Sequence, residues 1–240
     1  METITDDTFL NGRLTVNQPR DGYRFSIDAI LLADFVQCKE GQMIIDLGTG
    51  CGIIALMLAS RYPGVRLVGV EIQDKLARVA AANVRANRLA ERICILHQDI
   101  KELHVRQLPD LVHQVVCNPP YRQIKSGRVN PDRGRAGARH EIFARLADFV
   151  ETAARLLQLS GRLSCVYPAE RLTDLMDRMR RANLEPKRLC LVHSKREAGA
   201  RLVLLTAVKG GRPGLTVEPP LVIYQADGRY APEVARAFLR

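Results

Sequence analysis

Apolar positions recur along this chain in two rhythms, and the two alternate. Short runs rich in Val, Ile and Leu read as buried strands at Met43–Leu47, Arg66–Val70, Ile93–Leu96, His113–Cys117, Gly161–Tyr167, Arg188–His193 and Arg201–Lys209. Between them apolar residues return at helical spacing. One helix opens after Ser26 and carries Ile27, Ile30, Leu31, Phe35 and Val36. Others cover Ile53–Ala59, residues 73–88 (Leu76, Val79, Ala80, Asn83 and Val84 on one side), His140–Leu157 (Phe143, Leu146, Ala147, Val150 and Ala154) and 169–182. Asn83 and Asn87 read as ordinary surface or capping residues. Strands alternating with helices, apart from a polar connection over residues 101–112, predict an α/β fold, a mostly parallel sheet with helices on both faces. The last two of the seven strands flank Glu197-Ala198-Gly199 and predict a hairpin, hence an antiparallel edge strand.

This body occupies residues 26–210. Residues 1–25 form an N-terminal arm whose Asn17-Gln18-Pro19-Arg20-Asp21-Gly22 is turn chemistry. Residues 211–240 form a tail, with Pro219-Pro220, a turn at Asp227-Gly228 and a short helix from Pro232, which is expected to pack back onto the domain.

Length and composition fit this reading. The chain has 240 residues, 47% hydrophobic and 26% charged, ordinary values for a soluble globular protein with a sizeable core. Charge adds something: 36 Lys and Arg against 26 Asp and Glu leave +10, an excess that favours a polyanionic partner such as nucleic acid. The six cysteines, Cys38, Cys51, Cys94, Cys117, Cys165 and Cys190, are scattered without a C-x-x-C pair, as in a reduced, cytoplasmic protein. Neither they nor the five histidines suggest a metal site. No apolar run is long enough to span a membrane, and the acidic N-terminus lacks the pattern of a leader peptide.

Candidate chemistry gathers at the carboxyl ends of the predicted strands, where open α/β sheets bind ligands. Asp46 closes the first strand and is followed by Gly48-Thr49-Gly50-Cys51-Gly52. That G-x-G-x-G turn admits close approach of backbone to a ligand, but it lacks the G-x-G-x-x-G spacing of a dinucleotide site. Glu71 ends the second strand, where one carboxylate can take two ribose hydroxyls. Asp99 follows the third and can accept from an amino group. Each also has a bland reading as a solvated strand-end acid. Asp28, in the first turn of its helix, is either a favourable charge at a helix N-terminus or a cofactor contact.

Asn118-Pro119-Pro120-Tyr121 ends the fourth strand, because two prolines supply no N–H for a ladder. The nitrogen of a nucleobase amine or an amide is a poor nucleophile, since its lone pair is delocalised. A side-chain carbonyl from Asn118 and the backbone carbonyl of Pro119 can accept both N–H hydrogens and draw that nitrogen out of plane. Tyr121 offers a flat ring for stacking. Beyond it Arg122, Lys125, Arg128, Arg133, Arg135 and Arg139 crowd a segment without helical or strand period. Beside an active site such a loop can track a phosphate backbone; elsewhere it is a charged surface loop.

Together, Asp46 to Gly52, Glu71, Asp99 and Asn118-Pro119-Pro120-Tyr121 resemble the class I methyltransferases that use S-adenosylmethionine, over nearly the whole chain. Such proteins are single Rossmann-like domains. The finer resemblance is to bacterial tRNA adenine-N6 methyltransferases that modify the adenosine beside the anticodon of a valine tRNA. It is carried by the segment Gly22 to Leu32, by Ala138-Arg139-His140-Glu141 and by the Pro219-Pro220-Leu221 and Asp227-Gly228-x-Tyr230 ending. Ser26-Ile27 departs from the Gly-Thr pair of some relatives. The resemblance implies that Arg24, Asp28, Asp46, Gly48, Gly50 and Gly52 contact the cofactor, with Glu71 on its ribose and Ile72, Asp99 and Ile100 around its adenine. Asn118 and Pro119 would hold the target N6 amine, with Pro120 between them and Tyr121 stacking the base. Release-factor glutamine-N5 methyltransferases and ribosomal guanine-N2 methyltransferases share the four-residue motif and remain alternatives. A catalytically silent RNA-binding module and an oxidoreductase fit less well.

Overall fold

The computed structural model describes residues 4–19, 26–121 and 145–239. Its centre is a mixed sheet built from β3 (Met43–Leu47), β4 (Arg66–Glu71), β5 (Ile93–His97), β6 (Val112–Cys117), β7 (Leu157–Pro168), β8 (Leu184–His193), β9 (Ala200–Lys209) and two short strands, β10 (Thr216–Val217) and β11 (Leu221–Val222). The order is β10-β8-β9-β7-β6-β3-β4-β5, with β11 also on β8. Helices α1 (Ile27–Phe35), α2 (Ile53–Arg61), α3 (Asp74–Ala86), α4 (Leu146–Leu156), α5 (Leu172–Arg181) and α6 (Pro232–Ala237) complete the domain. This is a Rossmann-like architecture, as the β–α alternation predicts.

The sheet reads out the period of two that defines a strand. On one face Ile44, Leu67, Val116, Val166 and Leu204 pack beneath α1 and α2. Their neighbours Ile45, Val68, Val115, Cys165 and Leu205 pack on the other face beneath α4 and α5. Both faces are therefore buried, which is why these strands are apolar throughout rather than alternating. The α1 helix is buried almost all round, from Ala29 to Phe35, because further structure covers the side turned away from the sheet.

Two expectations need correction. The antiparallel strand is not at an edge. β9 runs antiparallel to both neighbours and is inserted between β7 and β8. The α5 crossover carries the chain two places along the sheet, and the hairpin then folds β9 back into the gap. The expected seven strands are present, and β10 and β11 lengthen the sheet on the outer side of β8, so nine strands are hydrogen-bonded.

The second correction concerns Asn83; Asn87 does cap the C-terminus of α3, as one expected reading had it, and it has a further contact besides. Residues of the arm form a hairpin, β1 (Ile4–Phe9) and β2 (Leu14–Pro19), laid across α3. Asn83, wholly buried, accepts from the Asn17 N–H at 2.8 Å and donates to the carbonyls of Asn17 and Cys51, both at 2.9 Å. Asn87 makes the same two-way clasp with Thr15, at 3.0 and 2.7 Å. These amides supply β2 with ladder-like partners that a helix backbone cannot offer. Asn83 is a buried joint rather than a surface residue, and Asn87 combines its capping position with the same clasp.

Candidate functional site

The carboxyl ends of β3, β4, β5 and β6 open on one cavity of about 350 Å³, within the size range of small-molecule sites. Gly48, Gly50, Glu71, Ile72, Gln73, Leu76, Asp99, Ile100, Asn118, Pro120 and Phe149 line it.

The floor is the glycine turn. Gly48, Gly50 and Gly52 all have positive φ, at 71°, 58° and 89°, so the chain reverses tightly between β3 and α2 where a Cβ would be strained. The amides of Gly48 and Thr49 both donate to the Val70 carbonyl, at 2.8 and 3.0 Å, which fastens the turn to the end of β4. A Cβ on Gly48 would also come within 3.3 Å of the Phe149 ring.

Asp46 stands behind this floor. It is fully buried; Oδ2 accepts from Thr49 Oγ1 at 2.6 Å, and Oδ1 has no hydrogen-bond partner among the described residues. Burial pushes its carboxyl up to about 7, and the nearby Glu71 adds to the effect. Glu71 is itself 5% exposed and shifted upward by burial. Its Oε2 accepts from the Gly50 N–H at 2.9 Å and its Oε1 from the Gln73 N–H at 3.0 Å. A carboxylate has about four acceptor positions, so Glu71 keeps acceptor capacity for a ligand.

Ile72, 43% exposed, presents an apolar side chain to the cavity next to Glu71. Asp99, across the cavity rim, caps a short turn by accepting from the Lys101 N–H at 2.9 Å and pairs with Lys101 Nζ at 3.3 Å. Ile100, Leu76 and Phe149 complete an apolar wall. The whole suits a ligand with a flat apolar body, carrying hydroxyls near Glu71 and an amino group near Asp99.

Asn118 also lines the cavity. Pro120 lines the cavity beside it, while Pro119 is buried. Tyr121 is half-buried and its ring meets Tyr167 edge-on, at 5.9 Å and 85°. Its Oη lies 2.8 Å from Asn118 Oδ1 and 2.9 Å from Asp28 Oδ2. Asp28 is thus engaged with Tyr121 and is not part of the cavity wall.

Of the sequence candidates, Gly48, Gly50, Glu71, Ile72, Asp99, Ile100, Asn118 and Pro120 converge on the cavity. Asp46, Gly52, Asp28, Pro119 and Tyr121 are not among its lining residues. Arg24, Arg122, Lys125, Arg128, Arg133, Arg135 and Arg139 lie outside the described residues. Three lining residues were not anticipated. Gln73 and Leu76 directly follow the Glu71 strand tip, which is a usable signal. Phe149 lies on the buried stripe of α4 beside Val150, so its position between Leu146 and Ala153 was the signal.

The strand order, the glycine turn and the strand-tip acids define a methyltransferase-type nucleotide fold. The chain belongs to the methyltransferase small domain family, whose model matches residues 25–182. Within it, the chain is 33% identical over 219 residues to the tRNA1(Val) (adenine(37)-N6)-methyltransferase of Tolumonas auensis, covering 91% of this chain and 89% of the relative. It is also 33% identical over 242 residues to the protein of the same name from Porphyromonas gingivalis, covering 96% and 92%. Among solved structures, a predicted O-methyltransferase from Agrobacterium tumefaciens superposes with a TM-score of 0.70 at 24% identity, over 88% of this chain and 94% of that one. A geranyl diphosphate C-methyltransferase from Streptomyces coelicolor, solved with S-adenosyl-L-homocysteine, gives 0.53 at 15% identity, over 75% and 78%. These two likenesses bear on the fold alone.

Among the described residues no group of three or more His, Cys, Asp or Glu could hold a metal ion, and no helix is long and apolar enough to cross a membrane.

Proposed function

We propose that this protein methylates the exocyclic N6 of an unpaired adenosine in tRNA, at position 37 of a valine tRNA, using S-adenosylmethionine in the cytoplasm. The observation that carries the reading is the meeting, on one cavity, of Asn118 with the two ligand-ready carboxylates Glu71 and Asp99. The names of the relatives from Tolumonas auensis and Porphyromonas gingivalis support the substrate.

The cavity fits the cofactor. Glu71 keeps acceptor capacity with which it would take the two ribose hydroxyls. Ile72 and Ile100 would offer apolar contact to its flat base, and Asp99 would accept from the base's amino group. Gly48 and Gly50 bring backbone close to the amino-acid end, with Asp46 holding the turn through Thr49. When bound, the cofactor supplies a methyl carbon made electrophilic by its sulfonium.

The chain's own part is to make a weak nucleophile competent and to aim it. Asn118 Oδ1 and the Pro119 carbonyl accept the two N6 hydrogens and localise the nitrogen lone pair. The methyl group would pass to N6, the N–C bond forming as the S–C bond breaks, and the extra proton would leave the nitrogen for solvent, so no strong base is required. The catalytic gain comes mainly from orientation, a source worth up to about 7–11 kcal/mol. An anticodon-loop base is already unpaired, so turning it out costs little. Arg122, Lys125, Arg128, Arg133, Arg135 and Arg139 would follow the RNA backbone.

The test is mass spectrometry of nucleosides from a strain lacking the gene. Loss of N6-methyladenosine from tRNA, with release-factor glutamine methylation unchanged, is expected, and complementation by the Asn118→Ala variant should fail. Retained N6-methyladenosine, with loss of a methylated guanosine or of the glutamine mark, would replace this reading with the corresponding alternative.

A further inference from the structure

The contact between Tyr121 and its two oxygen neighbours contains a proton shortage. A phenol carries one hydrogen. Its Oη stands 2.9 Å from Asp28 Oδ2 and 2.8 Å from Asn118 Oδ1, and only one of these can receive that hydrogen. Left as they stand, the other pair would be two oxygens in contact with no hydrogen between them.

The carboxylate is the stronger acceptor, because a charged partner makes a hydrogen bond roughly twice as strong. The phenol hydrogen therefore goes to Asp28. The shortage at Asn118 is then relieved by a half-turn of its amide, which exchanges oxygen and nitrogen at almost no steric cost; the hydrogen-bond network is what distinguishes the two. Asn118 Nδ2 donates to Tyr121 Oη. Its Oδ1 takes the other branch of the amide, which has no hydrogen-bond partner among the described residues, on a side chain that lines the cavity.

We propose that Asp28, acting through the Tyr121 hydroxyl, is a positioning residue that turns the Asn118 amide so that an acceptor, not a donor, meets the target amine. This rests on the role given to Asn118 above. It assigns Asp28 to substrate activation, not to the cofactor. The motif alone does not specify this, because an asparagine offers an NH2 as readily as an oxygen. With the NH2 outward, two donors would face each other and the target nitrogen would not be activated.

The consequence is an unusual order of variants. In Asp28→Ala the phenol hydrogen loses its strongest acceptor and shifts toward Asn118 Oδ1, which favours the amide in the wrong sense. Methyl transfer to an unmodified tRNA-Val transcript should then fall in kcat by about 10–100-fold, less than or comparable to the loss of a whole preorganised group. KM for RNA and the affinity for S-adenosylhomocysteine by calorimetry should stay within about twofold. Tyr121→Phe keeps the ring and frees the amide to rotate, so its loss should be smaller. The double variant Asp28→Ala/Tyr121→Phe should match Tyr121→Phe and be more active than Asp28→Ala alone. Asp28→Asn, whose neutral carbonyl competes evenly for the hydrogen, should fall between wild type and Asp28→Ala, and it serves if Asp28→Ala folds poorly. In the NMR spectrum one Asn118 side-chain N–H should lose its protection in Tyr121→Phe.

Additive losses in the double variant would overturn the proposal. So would weaker S-adenosylhomocysteine binding from Asp28→Ala in both backgrounds, which would make Asp28 a cofactor contact. Full activity of Asn118→Ala would instead overturn the underlying role of Asn118.

Discussion

Asn83→Asp tests the clasp between arm and glycine turn with almost no change in side-chain shape. In the native protein the orientation of the Asn83 amide is dictated by three backbone groups: its oxygen meets the Asn17 N–H, and its nitrogen meets the Asn17 and Cys51 carbonyls. A carboxylate keeps the first contact and loses the other two. Each carbonyl deprived of its donor, that of Cys51 buried and that of Asn17 part-buried, costs up to about 1–3 kcal/mol, so the two together cost up to about 2–6 kcal/mol before charge repulsion is counted. That is a large share of the roughly 5–15 kcal/mol that holds a domain together. At about 2–4 °C per kcal/mol the melting temperature should drop by roughly 5–20 °C at pH 7. The new carboxyl can escape part of this by taking up a proton, which restores one donor. Its pKa is then higher folded than unfolded, so the deficit should be smallest below the unfolded value and grow as pH rises. Asn83→Ala, with nothing to titrate, should show a deficit independent of pH. Urea unfolding of both variants between pH 4 and 8 reads this directly. A loss under about 1 kcal/mol at pH 7, or identical pH profiles for the two, would mean that the clasp does not hold the hairpin as described.

Asp46 gives a second pH-dependent expectation. Its carboxyl titrates near 7 when folded and near the ordinary carboxylate value when unfolded, so the native state holds the extra proton between these limits. Stability contributed by the protonated form is complete at low pH and is lost as pH rises toward 7; Asp46→Asn should flatten that slope, as measured by thermal unfolding across pH 4–8. Charge reversal at Arg133 and Arg135 should weaken tRNA binding and reduce its dependence on salt, with S-adenosylhomocysteine affinity unchanged; filter binding at several salt concentrations measures the first two. An unchanged salt slope would return those arginines to an ordinary charged surface.

How much of this could be read before the fold was known follows from distance along the chain. The seven main strands, the Gly48-x-Gly50-x-Gly52 turn, the acids at the tips of β4 and β5, and Asn118 at the end of β6 are each contiguous signals. A strand end is recognisable from its own residues, and the parallel α/β arrangement brings all such ends to one rim, so Glu71, Asp99 and Asn118 converge without further information.

What lay beyond the sequence is long-range. β9 was recognisable as a strand, but its place between β7 and β8 depends on how far the α5 crossover carries the chain. Asn83 looked like any polar residue on a helix until β2, 66 positions away, lay across it. Asp28 and Tyr121 are separated by 93 positions, and neither carries a mark of the other. The residue types set what each group can donate or accept. Only the packing of α1 against the sheet decided that a single phenol hydrogen would have two oxygens within reach, and a hydrogen bond exists only where such a distance has been closed.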